Sequence, residues 1–478
     1  PITNLNSPSD GTRRVYRYTA PGSAGHATIT SLATPTGPLS FTSVTATGLT
    51  VNWAAASPTT GIVKYAIYNS TDGGTTYNFV NTTNLGTHSL AVTGLTPGIT
   101  YTWKVVSVSE GSLSSGITGT QATSSAATYY WVGASGADWN TAASWNTAAD
   151  NTGSQRTGPA TTDILIIDGM ATTPGLAGTI SLSAGQTIGS LQVTNSTAVT
   201  LQSSTTAQRV LSLSGSVGDE LNIGSGSSIL LTNTSNIIQI GFVTGTGMTG
   251  TIAGTLTVSG TTASSTTSNS FLTTGGTGTV VTVTSTGVIN NTATTNIATN
   301  GNVTGSASSL IFANGSAYNV SGATTLAPWI PLATWGASSN LTISGLTSSS
   351  TAPTNNAQSF GNFTYNCPAA SATMSFFTSN TVTLQGNLSI QATNTGKFRC
   401  VTSGTLNVLG NMTVSGSSIC DISSSGGTVS VSGTFTHSSS GTTNVGIGAV
   451  GTLTAGGFAV SAGTVELATG TTSQNGTI

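Results

Sequence analysis

Acidic side chains are so scarce in this chain that every candidate for acid–base chemistry can be named. After Asp168 the acids are Asp219, Glu220, Asp421 and Glu466. Hydrolysis of a glycosidic bond needs two facing carboxylates, and a lyase needs acidic calcium ligands beside a base. Neighbouring strand residues alternate between faces, so Asp219 and Glu220 are expected to point apart. Asp421 and Glu466 are widely separated in the sequence, and neither has an evident acidic partner.

The basic residues and histidines also show no spacing typical of a catalytic or metal site. The bases in the same region are Arg209, Lys397 and Arg399. The three histidines, His26, His88 and His437, are too dispersed to indicate a metal site or a catalytic triad. We therefore predict a protein that is not an enzyme, with no catalytic, cofactor-binding or metal-ligating residues and no cofactor.

The cysteine count restricts covalent cross-linking. Cys367, Cys400 and Cys420 allow at most one intramolecular disulfide. Cys400 and Cys420 are the favoured pair, and unpaired buried thiols are the alternative.

Composition excludes further classes of function. Of 478 residues only 9 are basic and 11 acidic, or 4% charged, against about 25% in ordinary soluble domains. Nine scattered bases cannot provide a nucleic-acid footprint, and no apolar run reaches the length of a membrane span. Pro1 stands where an initiator Met is expected, which indicates a removed leader or a fragment. We expect an exported, extracellular or cell-surface protein.

Short alternating strands separated by turns predict an antiparallel β-sandwich over residues 38–125. Trp53 provides a core anchor, and Tyr101 follows Leu95 by six residues, past a Pro97-Gly98 turn. A tyrosine so placed can bond back to the backbone of the corner. These residues resemble a fibronectin type III domain, which implies that fold. Residues 1–37 are expected to form an N-terminal arm. It is either an exposed extension or the remnant of a preceding domain, or it contains strands, around 15–18 and 27–32, that pair with a neighbouring subunit.

A tryptophan-rich segment spans residues 126–170. Trp131, Trp139 and Trp145 either cap a hydrophobic core or form a platform for stacking sugars, and the apolar run 164–167 favours the cap. This segment resembles the start of the β-helical region in bacterial surface proteins, many from Bacteroidetes-type secretomes. The cluster Pro328, Trp329, Pro331 and Trp335 predicts a loop that interrupts the later pattern.

An internal repeat predicts the fold of residues 171–478. Similar units begin at Thr381, Thr405, Thr428 and Thr452, a repeat of roughly 23–24 residues. Each unit is two alternating strands hinged at a glycine, which a positive φ or a bulge would explain. Such units bury a core only by stacking. We predict an all-β chain in which the sandwich precedes a right-handed β-solenoid, with Leu388, Met412 and Phe435 stacked in successive coils.

Two classes of function remain. The first is a non-catalytic extracellular surface protein: an adhesin-like rod, or a subunit of a fibre assembled by end-to-end and strand-pairing contacts. The second is a polysaccharide-binding or polysaccharide-degrading β-helix protein. The expected partners are further copies of the chain, or the rest of a longer adhesin, and surface glycans; nucleic acid and a membrane span are not expected.

Overall fold

The chain folds into two compact units, residues 1–126 and 127–478. The computed structural model describes residues 32–45, 48–109, 112–123, 126–169, 178–205, 207–214, 219–232, 237–242, 247–260, 269–273, 277–294, 302–322, 330–348, 350, 352–377, 380–446 and 451–466. Within these residues the structure is all-β, with a single 3-10 turn at Ala142–Ser144. The arm strands predicted around 15–18 and 27–32 lie outside the described residues, apart from Leu32.

The first unit is an antiparallel sandwich of eight described strands. They are β1 Thr36–Thr42, β2 Gly48–Ala54, β3 Lys64–Ser70, β4 Asn78–Asn84, β5 Ser89–Thr93, β6 Thr100–Ser109, β7 Ser112–Leu113 and β8 Ile117–Ala122. One sheet has the order β1-β2-β5, and the other β4-β3-β6-β7, with β8 also on β6. β1 begins two residues before the predicted boundary at 38. Trp53 packs edge-on against the buried Tyr65, as expected of a core anchor.

The second unit begins with β9 Thr128–Trp131 and β10 Trp145–Asn146, which pair antiparallel. β9 also pairs parallel with β11 Ile164–Asp168, the first strand of the stack that follows. All three tryptophans of this segment are buried.

The remaining strands form the stack. The next are β12 Gly178–Leu182, β13 Gln186–Ile188, β14 Ser190–Thr194, β15 Ala198–Ser203, β16 Arg209–Leu213, β17 Asp219–Ile223, β18 Ser228–Leu231, β19 Ile238–Phe242, β20 Thr249–Ile252, β21 Thr255–Val258, β22 Ser270–Leu272, β23 Val280–Val283, β24 Val288–Asn291, β25 Val303–Thr304, β26 Leu310–Phe312, β27 Ala317–Val320, β28 Thr334–Trp335 and β29 Asn340–Ile343. The last are β30 Asn362–Asn366, β31 Met374–Phe377, β32 Thr381–Leu384, β33 Leu388–Ala392, β34 Phe398–Val401, β35 Thr405–Val408, β36 Met412–Val414, β37 Cys420–Ser423, β38 Thr428–His437, β39 Thr442–Gly446, β40 Thr452–Val460 and β41 Thr464–Glu466.

Parallel pairing between successive coils makes this unit a β-solenoid of about 10 turns. One face runs from β11 through β14 to β28, and a second runs from β12 through β15 to β36 and β38. A third face is formed by β13 to β25, and near the C-terminus by β31-β34-β37-β39-β41. Leu388 pairs with Met412 and Met412 with Phe435, which confirms the predicted repeat register.

The coils are longer in the N-terminal half. Leu191 pairs with Leu221 and Leu221 with Gly250, so a coil there contains roughly 30 residues. The pairs 381–405, 405–428 and 428–452 keep the short repeat. The predicted short coil therefore does not extend over all of 171–478. The extra residues fall between strands, as between Val258 and Ser270, and leave the register of the faces unchanged.

The hinge glycines provide space, not unusual backbone angles. Gly386, Gly410 and Gly433 are not among the described glycines with positive φ, so that part of the predicted backbone reason is wrong. The predicted bulge has support at Gly433, because the register shifts between Val431 and Thr434. A Cβ at each position would overlap the side-chain Oδ1 of an asparagine in the preceding coil, namely Asn362, Asn387 and Asn411 in turn. Only glycine leaves room for that oxygen.

The region predicted as an interrupting loop includes part of the core. Trp335 lies in β28 and stacks on Phe312 with the ring centroids 4.3 Å apart and an interplanar angle of 7°. Its indole N–H donates to Gln358 at 3.2 Å. The loop prediction is therefore wrong for Trp335, because a stacked aromatic fills the solenoid interior. Pro328 and Trp329 lie outside the described residues.

Candidate functional site

The third face carries a row of polar and charged residues near the C-terminus. Strand pairing places Ser375, Arg399, Asp421, Asn444 and Glu466 at equivalent positions of β31, β34, β37, β39 and β41. We call these five residues the charged row. Three of the chain's 20 charged side chains lie in it, so it is the natural candidate site of a solenoid with so little charge.

Asp421 is the centre of the charged row and is fully buried. Its neighbours Cys420 and Ile422 point into the core, so the alternation of the strand places its carboxylate on the outer side. Arg399 Nη2 lies 3.2 Å from Oδ2, and Lys397 Nζ lies 3.8 Å from Oδ1. The amide of Asn444 donates to Oδ1 at 2.8 Å. Both oxygens of this carboxylate are thus engaged by charged or polar side chains of the protein.

The two acids of this region occupy the same row, with Asn444 between them. Strand spacing puts the Asp421 and Glu466 positions roughly 10 Å apart. Glu466 is exposed, whereas Asp421 has its oxygens occupied by cations and an amide. A general acid must hold a proton and reach a ligand, and this geometry favours a stabilising role for Asp421 instead. The sequence did not reveal its basic partners, because Arg399 and Asp421 are one coil apart in the chain.

Asp219 and Glu220 form a second acidic pair, in β17. The ladder has an irregularity between Asp219 and Leu221, and both carboxylates reach Thr249. Asp219 is half-buried and Glu220 is buried, so the two side chains differ in environment although both bond to Thr249. Glu220 accepts the backbone N–H of Thr249 at 2.6 Å, and burial raises the pKa of its carboxyl. Asp219 accepts the hydroxyls of Thr249 and Thr251 at 2.8 and 2.7 Å.

His437 is packed inside the solenoid. It is fully buried, its Nδ1 lies 3.1 Å from the hydroxyl of Thr443, and desolvation lowers its pKa. His88 lies in the sandwich unit with its ring centroid 5.6 Å from that of Tyr65. His26 lies outside the described residues. Among the residues that the structure describes, no group of three or more His, Cys, Asp or Glu side chains could hold a metal ion.

The three cysteines are free and buried. Cys400 and Cys420 Sγ lie 3.8 Å apart. Cys420 pairs directly with Phe398, so Cys400 is its diagonal neighbour on the adjacent strand. Diagonal neighbours have Cα atoms roughly 7–8 Å apart, at or beyond the reach of a disulfide. The backbone would have to move before the favoured pair could join, so the structure supports the unpaired alternative.

The tryptophan-rich segment forms a cap over the core, as its sequence favoured. The ring centroids of Trp131 and Trp139 lie 5.1 and 4.8 Å from that of Trp145. The indole of Trp139 donates to Gln186 at 2.7 Å, and that of Trp145 to the carbonyl of Trp139 at 2.8 Å. Because all three rings are at most 1% exposed, they cannot stack on a sugar.

The corner of the sandwich has the predicted hydrogen bond. The hydroxyl of Tyr101 accepts the backbone N–H of Thr96 at 2.9 Å. Thr123 closes the same corner by donating to the carbonyl of Thr96 at 2.7 Å.

Comparison with known proteins identifies the sandwich. The fibronectin type III domain model matches residues 33–120, so the chain carries a fibronectin type III domain there, followed by the β-solenoid. The chain is similar to a two-domain fibronectin type III segment of chicken tenascin, with 28% identity over 20% of this chain and 51% of that one and a TM-score of 0.18. It thus spans about half of that segment.

Other solved structures are similar over the same fraction of the chain. A fibronectin type III domain of human collagen XX has 24% identity over 21% of this chain and 100% of that one, with a TM-score of 0.18. The chicken CNTN1 FN1–FN3 domains have 16% identity over 19% of this chain and 32% of that one, with a TM-score of 0.18. No curated protein matches the sequence.

Proposed function

We propose that this chain is a non-catalytic extracellular surface protein of bacterial origin, an adhesin-like rod or a fibre subunit assembled by end-to-end and strand-pairing contacts. The fibronectin type III domain and the β-solenoid fit an extracellular structural protein. The buried carboxylates of Asp421 and Glu220 are held by cations or by a backbone N–H group, which favours structural roles for them. No helix within the described ranges is long and apolar enough to cross a membrane.

The observation that carries this proposal is the exposure of apolar side chains on β40, the last long strand described in the solenoid. In β40, Phe458 and Val460 are 42% and 56% exposed. Their register partners in β38, Phe435 and His437, are fully buried. An exposed edge with apolar side chains can receive a strand from another chain. The net charge of −2 offers little like-charge repulsion to such contacts.

Light scattering and electron microscopy of the full chain over a range of concentrations test the assembly. We expect association or filaments for the wild type and weaker association for the double variant Phe458→Ser, Val460→Thr. Leu409→Ser is the control, because Leu409 is 48% exposed but lies away from β40. A wild type that stays monomeric at high concentration would contradict the proposal.

The N-terminal arm can be tested separately. β1 begins at Thr36, so deletion of residues 1–31 removes none of the described strands of the sandwich. If the arm pairs with a neighbouring subunit, this deletion weakens assembly while the denaturation midpoint of both units stays unchanged. Unchanged assembly would limit the contact to the solenoid.

Polysaccharide binding is the second candidate. Two basic side chains at the charged row favour it, because Arg399 in the row and Lys397 beside it are 22% and 38% exposed. Calorimetric titration with acidic and neutral polysaccharides tests this candidate. Binding to acidic chains that is lost in Lys397→Gln supports it, and the absence of heat with either class contradicts it.

A further inference from the structure

A column of hydroxyl side chains runs along the outer side of the second solenoid face. Thr342, Thr364, Ser389, Thr413 and Thr436 pair in five successive coils, each at the half-buried outward position of its strand. The column continues towards the N-terminus through the polar residues Asn319, Asn290 and Thr257. One side-chain position is therefore uncharged and polar in eight consecutive coils.

A second column lies two residues away on the same face. It contains Asn340, Asn362, Asn387, Asn411 and Thr434. Asn362 donates to Asn340 at 3.1 Å, and Asn387 and Asn411 use their Oδ1 atoms to accept the backbone N–H of the next rung. These bonds hold the asparagines in fixed positions. Side-chain ladders of this kind also stabilise sheets that are flatter than usual.

The hydroxyls of the first column are left for an external partner. Those of Thr342, Thr364, Thr413 and Thr436 have no hydrogen-bond partner within the described part of the chain. Each hydroxyl can donate one hydrogen bond and accept others. Because the branched side chains have restricted rotamers, little freedom is lost when a ligand binds them.

The two columns together define a regular lattice. Neighbouring rungs are about 4.8 Å apart, and the columns are about 6.6 Å apart along the strands. Eight rungs extend over roughly 34 Å at that spacing. A ligand that uses the whole face must therefore be an extended array of hydrogen-bonding groups with matching repeats.

The side chains on the lattice select among such arrays. None of the ten residues of the two columns named from Asn340 onward carries a charge or an aromatic ring, so the face neither attracts ions nor offers the flat rings on which sugars stack. Threonine instead supplies a methyl group beside each hydroxyl. The oxygen lattice of ice repeats at distances close to both spacings of this face, and ordered water bridges well to hydroxyl groups.

We propose that this face of the solenoid binds ice through the hydroxyl column Thr342, Thr364, Ser389, Thr413 and Thr436. Bound lattice waters accept and donate to the hydroxyls, and the methyl groups fill the spaces between them. This binding is independent of self-assembly, because the face is the side of the rod and not its end.

Partition of the full chain into slowly grown ice tests the proposal. We expect the wild type to enter the ice and the variants Thr413→Tyr and Thr413→Lys to remain in the liquid. A tyrosine ring holds a flat lattice away from its neighbours, and a lysine keeps its own strong hydration. Thr282→Tyr is the matched control, because Thr282 is equally half-buried but lies on another face of the solenoid.

Circular dichroism and denaturation midpoints establish that each variant is folded. Two different substitutions at Thr413 keep the test interpretable if one of them unfolds. Exclusion of the wild type from ice would overturn the proposal, as would equal partition of the wild type and both Thr413 variants. Binding of the wild type to crystalline cellulose or chitin without partition into ice would assign the face to polysaccharide instead.

Discussion

The side-chain Oδ1 of Asn387 accepts the backbone N–H of Asn411, one coil further along, at 2.8 Å. The same bond recurs from Asn362 to Asn387 at 2.9 Å and from Asn411 to Thr434 at 2.8 Å. Each oxygen occupies the space that a Cβ on the glycine of the next coil would need. The recurring Gly-Asn pair is therefore one device, in which the asparagine joins two coils and the glycine makes room for the asparagine below.

Removing one rung of this ladder should destabilise the solenoid. Asn387→Ala leaves the N–H of Asn411 without its acceptor, which costs about 1 kcal/mol of unfolding free energy. Asn407→Ala is the control, because Asn407 is a half-buried outward residue on the neighbouring strand β35. Chemical denaturation measures both, and equal midpoints would argue against the ladder.

The hinge glycine should be more sensitive still. In Gly410→Ala the new Cβ overlaps Asn387 Oδ1 and lies 2.7 Å from the carbonyl oxygen of Gly386. We expect a loss of about 1–3 kcal/mol from this overpacking. At Gly457, also in the hinge region, the nearest atom to a Cβ is 3.4 Å away, so Gly457→Ala should change the denaturation midpoint little.

The tyrosine corner gives a prediction for the sandwich alone. Tyr101→Phe removes the acceptor of the Thr96 N–H, and the fibronectin type III domain should lose about 1–2 kcal/mol. Tyr68→Phe serves as the comparison, since Tyr68 lies half-buried on β3. Tyr101→Phe should unfold at a lower temperature than Tyr68→Phe. Identical unfolding curves would show that the Tyr101 hydrogen bond does not stabilise the domain.

Asp421 should affect stability rather than turnover. Asp421→Asn removes the negative charge between Lys397 and Arg399, and both cations remain partly exposed to water. The cost is then about 2 kcal/mol, whereas Glu466→Gln at an exposed position should stay within about 0.5 kcal/mol. Measurable polysaccharide turnover that either change abolishes would show that the charged row is catalytic.

Acid should weaken the solenoid through His437. Burial lowers its pKa below the ordinary 6.5, so the unfolded chain binds more protons near and below that pH. The contribution of the neutral His437 to the free energy of unfolding is therefore fully present above pH 6.5. It is lost as the pH falls through the lowered pKa of this histidine. His437→Val, which matches Val414 in the preceding coil, should reduce this loss between about pH 7 and pH 5.

The carboxyl of Glu220 has the opposite effect on the pH dependence of stability, and at a lower pH than His437. Burial raises its pKa above 4.5, so its contribution is fully present below that value and fades as the pH rises through the raised pKa. Denaturation midpoints of the wild type and His437→Val across the acid range separate the two groups. A pH dependence that is the same in both proteins would exclude His437 as its source.

Features built from neighbouring residues could be predicted from the sequence. Tyr101 and Thr96 are five residues apart, so the corner is a local structure that its spacing reveals. The register of Leu388, Met412 and Phe435 was equally readable, because three short coils of nearly equal length repeat the same pattern.

Features that depend on coil length could not be predicted in the same way. Arg399 meets Asp421 only because the third face advances from one to the other in a single coil. The longer coils of the N-terminal half hid its register, because their strands recur at a different interval from those of the C-terminal repeat. The reason for the hinge glycines was also hidden, because the atom that requires a glycine belongs to the coil before it.

The stacking of coils also sets how this protein responds to mechanical tension. Each C-terminal coil is joined to its neighbour through short parallel ladders and the Asn387-type bond. A force applied to the C-terminal end of the solenoid breaks these bonds one coil at a time and not all at once. Each short coil that detaches lengthens the chain by about 80 Å. The short C-terminal coils would thus yield in nearly equal steps and absorb work before the longer N-terminal coils detach.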